Sequence, residues 1–258
     1  MKRKIIVGNW KMNPTTLAEA QKIFNTLKRA AGRMKTTSVV MCPPMAYVGK
    51  FAAGKINSRA KPVVGLGTQN VFSESQGAYT GEVSAPMLKD LGVSHIIIGH
   101  SERRAMGETD EMISKKVLAA LEAGIHPIVC VGEAVRDAHA LYLDTLKNQI
   151  KNSLANVPKK LLNQIIVAYE PVWAIGAKEA MDSATIEEMT IFIKKVLSDI
   201  GTHDTGISTP ILYGGSVNFR NAPDVMSRGK VDGLLVGRES VNIPGFIELL
   251  KAVDVLKL

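Results

Sequence analysis

The feature that most constrains this chain is a rhythm. Apolar, mostly β-branched runs begin near Lys4, Thr37, Pro62, Ser94, His126, Ile165, Thr209 and Val231, with helical patterns between them. Runs of this length, bounded by polar residues and glycine, read as strands buried on both faces. Thr16 to Glu19 and Thr185 to Glu188 are capping-box patterns that open two of the helices. Gly124 ends a helix-forming stretch containing Met112, Lys116, Ala119, Ala120 and Ala123. Helical periodicity is weaker after Pro43-Pro44, and Gln69 to Pro86 reads as a long loop. Eight strand–helix alternations with no internal linker predict an α/β architecture, a parallel sheet covered by helices. At 258 residues the expected form is one domain spanning 1–258, a closed parallel (β/α)8 barrel. An open doubly wound sheet is the alternative, but no GxGxxG follows the first strand.

In such a barrel, chemistry gathers where the strands end. Polar residues and glycines should therefore cluster there, and they do. Gly8-Asn9-Trp10-Lys11 follows the first strand, Gly99-His100-Ser101-Glu102-Arg103-Arg104 the fourth and Val131-Gly132-Glu133 the fifth. Gly214-Gly215-Ser216 follows the seventh, and Gly237-Arg238-Glu239-Ser240 the eighth.

The sixth strand end carries Glu170, between Tyr169 and Pro171-Val172-Trp173. Pro171 cannot donate to a sheet ladder, so pairing should stop there. A carboxylate partly desolvated at a strand tip is a stronger base. Taken alone, Glu170 could equally be a solvated loop residue. Lys11 could be a snorkelling surface lysine, or an ammonium placed to hold a phosphate and an oxyanion. His100 precedes Ser101, a candidate helix N-cap, and the positive helix end would favour a neutral ring. A neutral imidazole can donate to a carbonyl and shuttle a proton. The glycines after the last two strands permit close backbone approach, and amides there suit a phosphate.

The formal charge of +8 invites a nucleic-acid reading, yet the cations are dispersed among acids and aromatic residues are few. No nucleic-acid or membrane partner is expected. Cys42 and Cys130 fit no metal or redox spacing and read as core residues of a reducing compartment. The run after the N-terminal basic residues, Ile5 to Val7, is too short for a signal-peptide core, so a cytoplasmic location is expected.

Gly8 to Asn13, Gly99 to Arg104, Ala168 to Gly176 and Tyr213 to Val217 resemble the signature segments of the triosephosphate isomerase family. Gln69-Asn70 with Gly77 to Glu82 resembles that family's long third loop, and the likeness runs almost end to end. The resemblance implies a TIM barrel that interconverts dihydroxyacetone phosphate and glyceraldehyde 3-phosphate, in glycolysis and gluconeogenesis, with no cofactor and no metal. It implies Glu170 as base, His100 as electrophile, and Lys11 with Asn9 on the substrate. Gly176, Ser216, Gly237 and the amide of Arg238 would hold the phosphate. Glu102 would support Lys11 by an ion pair, while Cys130 and Glu133 would order the surroundings. Pro171 to Met181 would form a lid with Pro171-Val172-Trp173 as its first hinge. A homodimer through the Gln69 to Glu82 loop is also implied.

Two departures stand near the phosphate. The family's lid continues from the equivalent of Gly176 as Thr-Gly-Lys-Thr-Ala, where this chain has Ala177-Lys178-Glu179-Ala180-Met181. The family's Gly-Gly-Ala-Ser becomes Gly237-Arg238-Glu239-Ser240, with the Arg238 side chain expected to point away from the phosphate. Another phosphosugar barrel, or a barrel kept as a binding protein, are the rival readings. The first would make Lys11, His100 and Glu170 a coincidence, and the second leaves that trio unexplained.

Overall fold

Each strand pairs in parallel with the next in sequence, and the last returns to the first. The strands are β1 (Lys4–Asn9), β2 (Thr37–Cys42), β3 (Gly65–Thr68), β4 (His95–Ile98), β5 (His126–Val131), β6 (Ile166–Tyr169), β7 (Ile211–Tyr213) and β8 (Gly233–Val236). Pairing of Ile5 to Gly8 with Gly233 to Val236 closes the barrel. The computed structural model describes residues 3–52, 64–137, 139–175 and 181–257.

Around the barrel run α1 (Leu17–Ala31), α2 (Met45–Ala52), α3 (Ala85–Asp90), α4 (Ser101–Ala105) and α5 (Asp110–Glu122). They are followed by α6 (Leu141–Ser153), α7 (Ser183–Ile200), α8 (His203–Ser208), α9 (Ala222–Ser227) and α10 (Ile243–Asp254).

The strands are apolar on both faces because both faces are buried. Successive side chains alternate across a pleat. Val7, Val40, Ile97, Ile128, Ile166, Ala168, Leu212 and Leu235 fill the inside of the barrel with Cys42 and Cys130. Their neighbours Ile6, Val39, Ile96, Ile98, Val129, Val167, Ile211 and Leu234 pack against the helices. A fully buried Ile or Leu contributes about 1.5–3 kcal/mol. A one-residue slip would exchange the two sets, so this alternation pins the register.

Local signals are met unevenly. Thr16 caps α1 and accepts from the Glu19 amide at 3.3 Å. Thr185 does not cap α7. Asp182 does, accepting from the Thr185 amide at 3.0 Å, because a carboxylate three residues upstream is the stronger acceptor. The capping box that forms is Thr202 with Thr205, at α8. β7 and β8 begin two residues later than expected, at Ile211 and Gly233. At the seventh strand, Thr209 is still bonded back into α8, and Pro210 lacks the amide a ladder needs. Pro62, the expected start of the third strand, lies outside the described residues. Among the described residues, no helix is long and apolar enough to cross a membrane.

Candidate active site

Pleat parity delivers the first residues to the mouth of the barrel. Inward-facing Val7, Ala168, Leu212 and Leu235 are each followed two positions on by a rim residue: Asn9, Glu170, Gly214 and Gly237. These border an open cavity of about 610 Å³, together with Lys11, His100, Ser216 and Arg238. Of the site residues expected from the sequence, only Gly176 is missing from this group, because it lies outside the described residues.

Glu170 is 2% exposed. Its amide donates to Val131 at 2.8 Å, which fixes the backbone to β5. Oε1 lies 3.2 Å from His100 Nε2, and Oε2 accepts from the Ser101 amide at 3.3 Å. Gly214 stands directly beside it, where an added Cβ would come within 2.7 Å of Glu170 Cγ. Burial pushes the Cys130 thiol well above its ordinary range, and the adjacent Glu170 charge and hydrogen bond push it further. Cys130 is therefore a protonated neighbour of the carboxylate.

His100 reaches the cavity by a different route. Parity after Ile97 points Gly99 inward and His100 outward. Gly99 adopts φ +72°, a left-handed conformation costly for other residues, and this re-aims the chain. Arg104 holds the turn from behind: its Nε donates to the Gly99 carbonyl at 2.8 Å, and its guanidinium bonds Asp110, Cys130 O and Ser153. The helix cap then differs from expectation. His100, rather than Ser101, is the N-cap of α4, and its Nδ1 accepts from the Glu102 amide at 3.2 Å. A side-chain acceptor nearer the first free amides displaces the serine, which becomes the first helical residue. The Glu102 carboxylate is 3.7 Å from Nδ1, too far to compete. With Nδ1 accepting, the ring is neutral and carries its proton on Nε2, toward Glu170.

Lys11 has φ +53°, a strained value for a side chain with a Cβ. Asn9 explains how it is held, since Oδ1 accepts from the Lys11 amide at 3.0 Å. Gln69 Nε2 adds a bond to the Lys11 carbonyl at 2.8 Å. The Lys11 ammonium meets Glu102 Oε1 at 2.5 Å. One helix start thus supplies the amide that sets His100 and the carboxylate that sets Lys11.

Ser216, also on the cavity, donates its Oγ–H to the Ala174 carbonyl at 3.2 Å. Arg238 is exposed and opens a short turn, Arg238–Val241. Among the described residues its guanidinium has no hydrogen bond or ion pair. Glu239 turns instead toward α10, accepting from Asn242 Nδ2 at 3.1 Å. No cluster suited to a metal ion occurs among the described residues.

Two residues emphasised only lightly by the sequence prove central to order. Glu133, 1% exposed, accepts from the Tyr169 hydroxyl at 2.8 Å and from Trp173 Nε1 at 3.0 Å. Tyr213, fully buried, accepts from the Met181 amide at 3.1 Å. No local pattern announces either contact, since the partners are 32 or more residues apart.

A closed barrel with a carboxylate, a neutral imidazole and an ammonium converging at its strand ends defines a (β/α)8-barrel enzyme equipped for proton transfer on a small anion. The model of the triosephosphate isomerase family matches residues 4–253. The triosephosphate isomerase of Dehalococcoides mccartyi strain 195 is 41% identical over 260 residues, covering 100% of both chains. That of Moorella thermoacetica is 40% identical over 252 residues, covering 97% of this chain and 98% of its own. That of Aquifex aeolicus is 39% identical over 250 residues, covering 96% and 98%. This chain belongs to the triosephosphate isomerase family.

Proposed function

We propose that the chain carries out the reaction of its family, the reversible interconversion of dihydroxyacetone phosphate and glyceraldehyde 3-phosphate, with Glu170 as the base. Glu170 removes a proton from the carbon beside the carbonyl. His100 Nε2–H donates to the carbonyl oxygen as it becomes an enediolate, and the Lys11 ammonium stabilises that charge. Glu170, now protonated, returns its proton to the neighbouring carbon while His100 shuttles the other between the two oxygens. Each proton moves between substrate and side chain, so the route calls for no cofactor. The observation that carries this reading is the 3.2 Å approach of Glu170 Oε1 to His100 Nε2 on the cavity wall.

The phosphate is assigned to Ser216, Gly237 and the Arg238 amide on the same cavity; Gly176, which the family resemblance adds, lies outside the described residues. Gly214 and Gly215 bring the backbone close there. A coupled isomerase assay on the purified chain tests the whole reading. Wild type should turn over, and Glu170→Asp, which draws the carboxylate back by one methylene, should lose about 100-fold or more in kcat. Absence of turnover in folded wild type, or full activity in the variant, would overturn it.

A homodimer through the Gln69 to Glu82 loop is part of the same proposal. Met12 is 88% exposed and Met106 73%, at a cavity of about 480 Å³ that also borders Lys11 and Gln69. Apolar side chains concentrated at such an opening support a covered surface. Sedimentation should give the mass of two chains, and a one-chain mass at micromolar concentration would count against it. A cytoplasmic location is proposed on the two free, buried cysteines.

A further inference from the structure

The turn Val172–Ala174 follows Glu170 after a single proline, so whatever holds this turn holds the backbone of the base. Arg136 is built against it. Its Nε donates to Glu133 Oε1 at 3.0 Å and its Nη2 to the Tyr169 hydroxyl at 3.3 Å. The guanidinium carbon sits 5.5 Å from the centroid of the Trp173 ring and 4.7 Å from that of Tyr142. Tyr142 is itself presented by an ordered helix start, because Asp137 accepts from the amides of His139, Leu141 and Tyr142 at 2.8 to 3.0 Å.

We infer that Arg136 is a positioning residue for the reaction, clamping the Val172–Ala174 turn onto Glu133 and thereby steadying Glu170. The inference rests on Glu170 being the base.

The physical reason lies in Glu133. It accepts from Tyr169 and Trp173, which are neutral, and from Arg136, the one cation bonded to it among the described residues. A carboxylate 1% exposed that loses its countercharge is costly and must rearrange or neutralise. Either change weakens the bonds that reach Tyr169 on one side of Glu170 and Trp173 on the other. Lysine cannot substitute fully. A point charge can meet Glu133 but lacks the fork that bonds Glu133 and Tyr169 together while keeping the guanidinium over the Tyr142 and Trp173 rings.

The test compares Arg136→Met, Arg136→Lys and the double variant Arg136→Met/Glu133→Gln, reading kcat, KM and tryptophan emission, with Trp173→Phe identifying the Trp173 signal over that of buried Trp10. Arg136→Met should lower kcat about 10-fold while KM stays within about twofold, because misplacement of the base affects the chemical step. Its Trp173 emission should shift to the red as the ring loses Glu133 and the stack. Arg136→Lys should recover part of kcat, and so should Glu133→Gln in the Met background, since it removes the stranded charge. Unchanged kcat and emission in Arg136→Met would overturn the inference, as would a loss of kcat that neither the Lys variant nor the double variant relieves. If Arg136→Met does not fold, Arg136→Lys carries the test, and wild-type kcat and emission there overturn the inference. The emission readout is independent of turnover, so failure of Glu170 as base would show separately in Glu170→Asp.

Discussion

The Glu102 backbone amide donates to His100 Nδ1 at 3.2 Å while the Glu102 carboxylate meets Lys11 Nζ at 2.5 Å. The electrophile and the cation of the proposed mechanism are therefore set by two different parts of one residue. The backbone half fixes the imidazole tautomer, and the side-chain half aims the ammonium.

Glu102→Gln separates those halves, because the amide survives and only the ion pair is lost. The pair is partly exposed, at 27% and 53%, so its contribution to stability should be under about 1 kcal/mol. The expected result is a kcat/KM lowered about 10-fold by a misdirected Lys11, with urea unfolding nearly unchanged. Equal losses in stability and activity would show that the pair serves the fold instead.

Gly214→Ala should act directly on Glu170, the proposed base. The added methyl would lie 2.7 Å from Glu170 Cγ and 3.4 Å from the Tyr169 carbonyl oxygen, and the Glu170 side chain yields more readily than that backbone. A displacement near 1 Å can cost about 100-fold in kcat, whereas overpacking of this size costs about 1–3 kcal/mol in stability. Steady-state kinetics beside a thermal melt would check the two together. Wild-type kcat would show that Glu170 tolerates the shift.

Arg238→Gly asks where the guanidinium goes. The proposed arrangement, with the side chain directed away from the phosphate and only the amide in use, predicts that KM changes less than about threefold. A KM rise of about 10-fold or more, growing weaker at high salt, would place the guanidinium on the dianion.

Acid stability should depend on Asp254, at the opposite end of the barrel. Burial opposes its charge, but the amides of Lys35 and Thr36 at 2.9 and 2.8 Å, with the Thr36 hydroxyl at 3.1 Å, bring its pKa down to about 2. A folded pKa below the unfolded one contributes stability above about pH 4, and that contribution is lost as pH falls through about 2. Allowing for solvent screening, the contribution is about 1–2 kcal/mol. Asp254→Asn should be less stable than wild type by that amount in urea at pH 7, with the gap closing toward pH 2. A gap independent of pH would assign the effect to packing.

The barrel and most of the candidate site were legible because they follow from short-range regularities. Alternation along each strand decides which residues face inward, and continuing it two residues past Val7, Ala168, Leu212 and Leu235 leads to Asn9, Glu170, Gly214 and Gly237. Polar residues at strand ends mark the mouth, because a barrel filled with side chains leaves only its ends open to a ligand. Where the sequence misled, two local signals competed. Asp182 outbid Thr185 as a cap, and His100 took the capping position expected of Ser101.

What the sequence by itself determined, then, is the architecture and the residues that ring its mouth, since periodicity and strand ends are properties of neighbouring residues. The tertiary structure alone decided how those residues are aimed. The left-handed turn at Gly99, braced by Arg104, sends His100 toward Glu170 against strand parity. Glu133 gathers Arg136, Tyr169 and Trp173 around the backbone of Glu170. The physical reason is that a hydrogen bond between segments tens of residues apart leaves no period and no composition bias. It exists only once barrel closure has brought the two segments together.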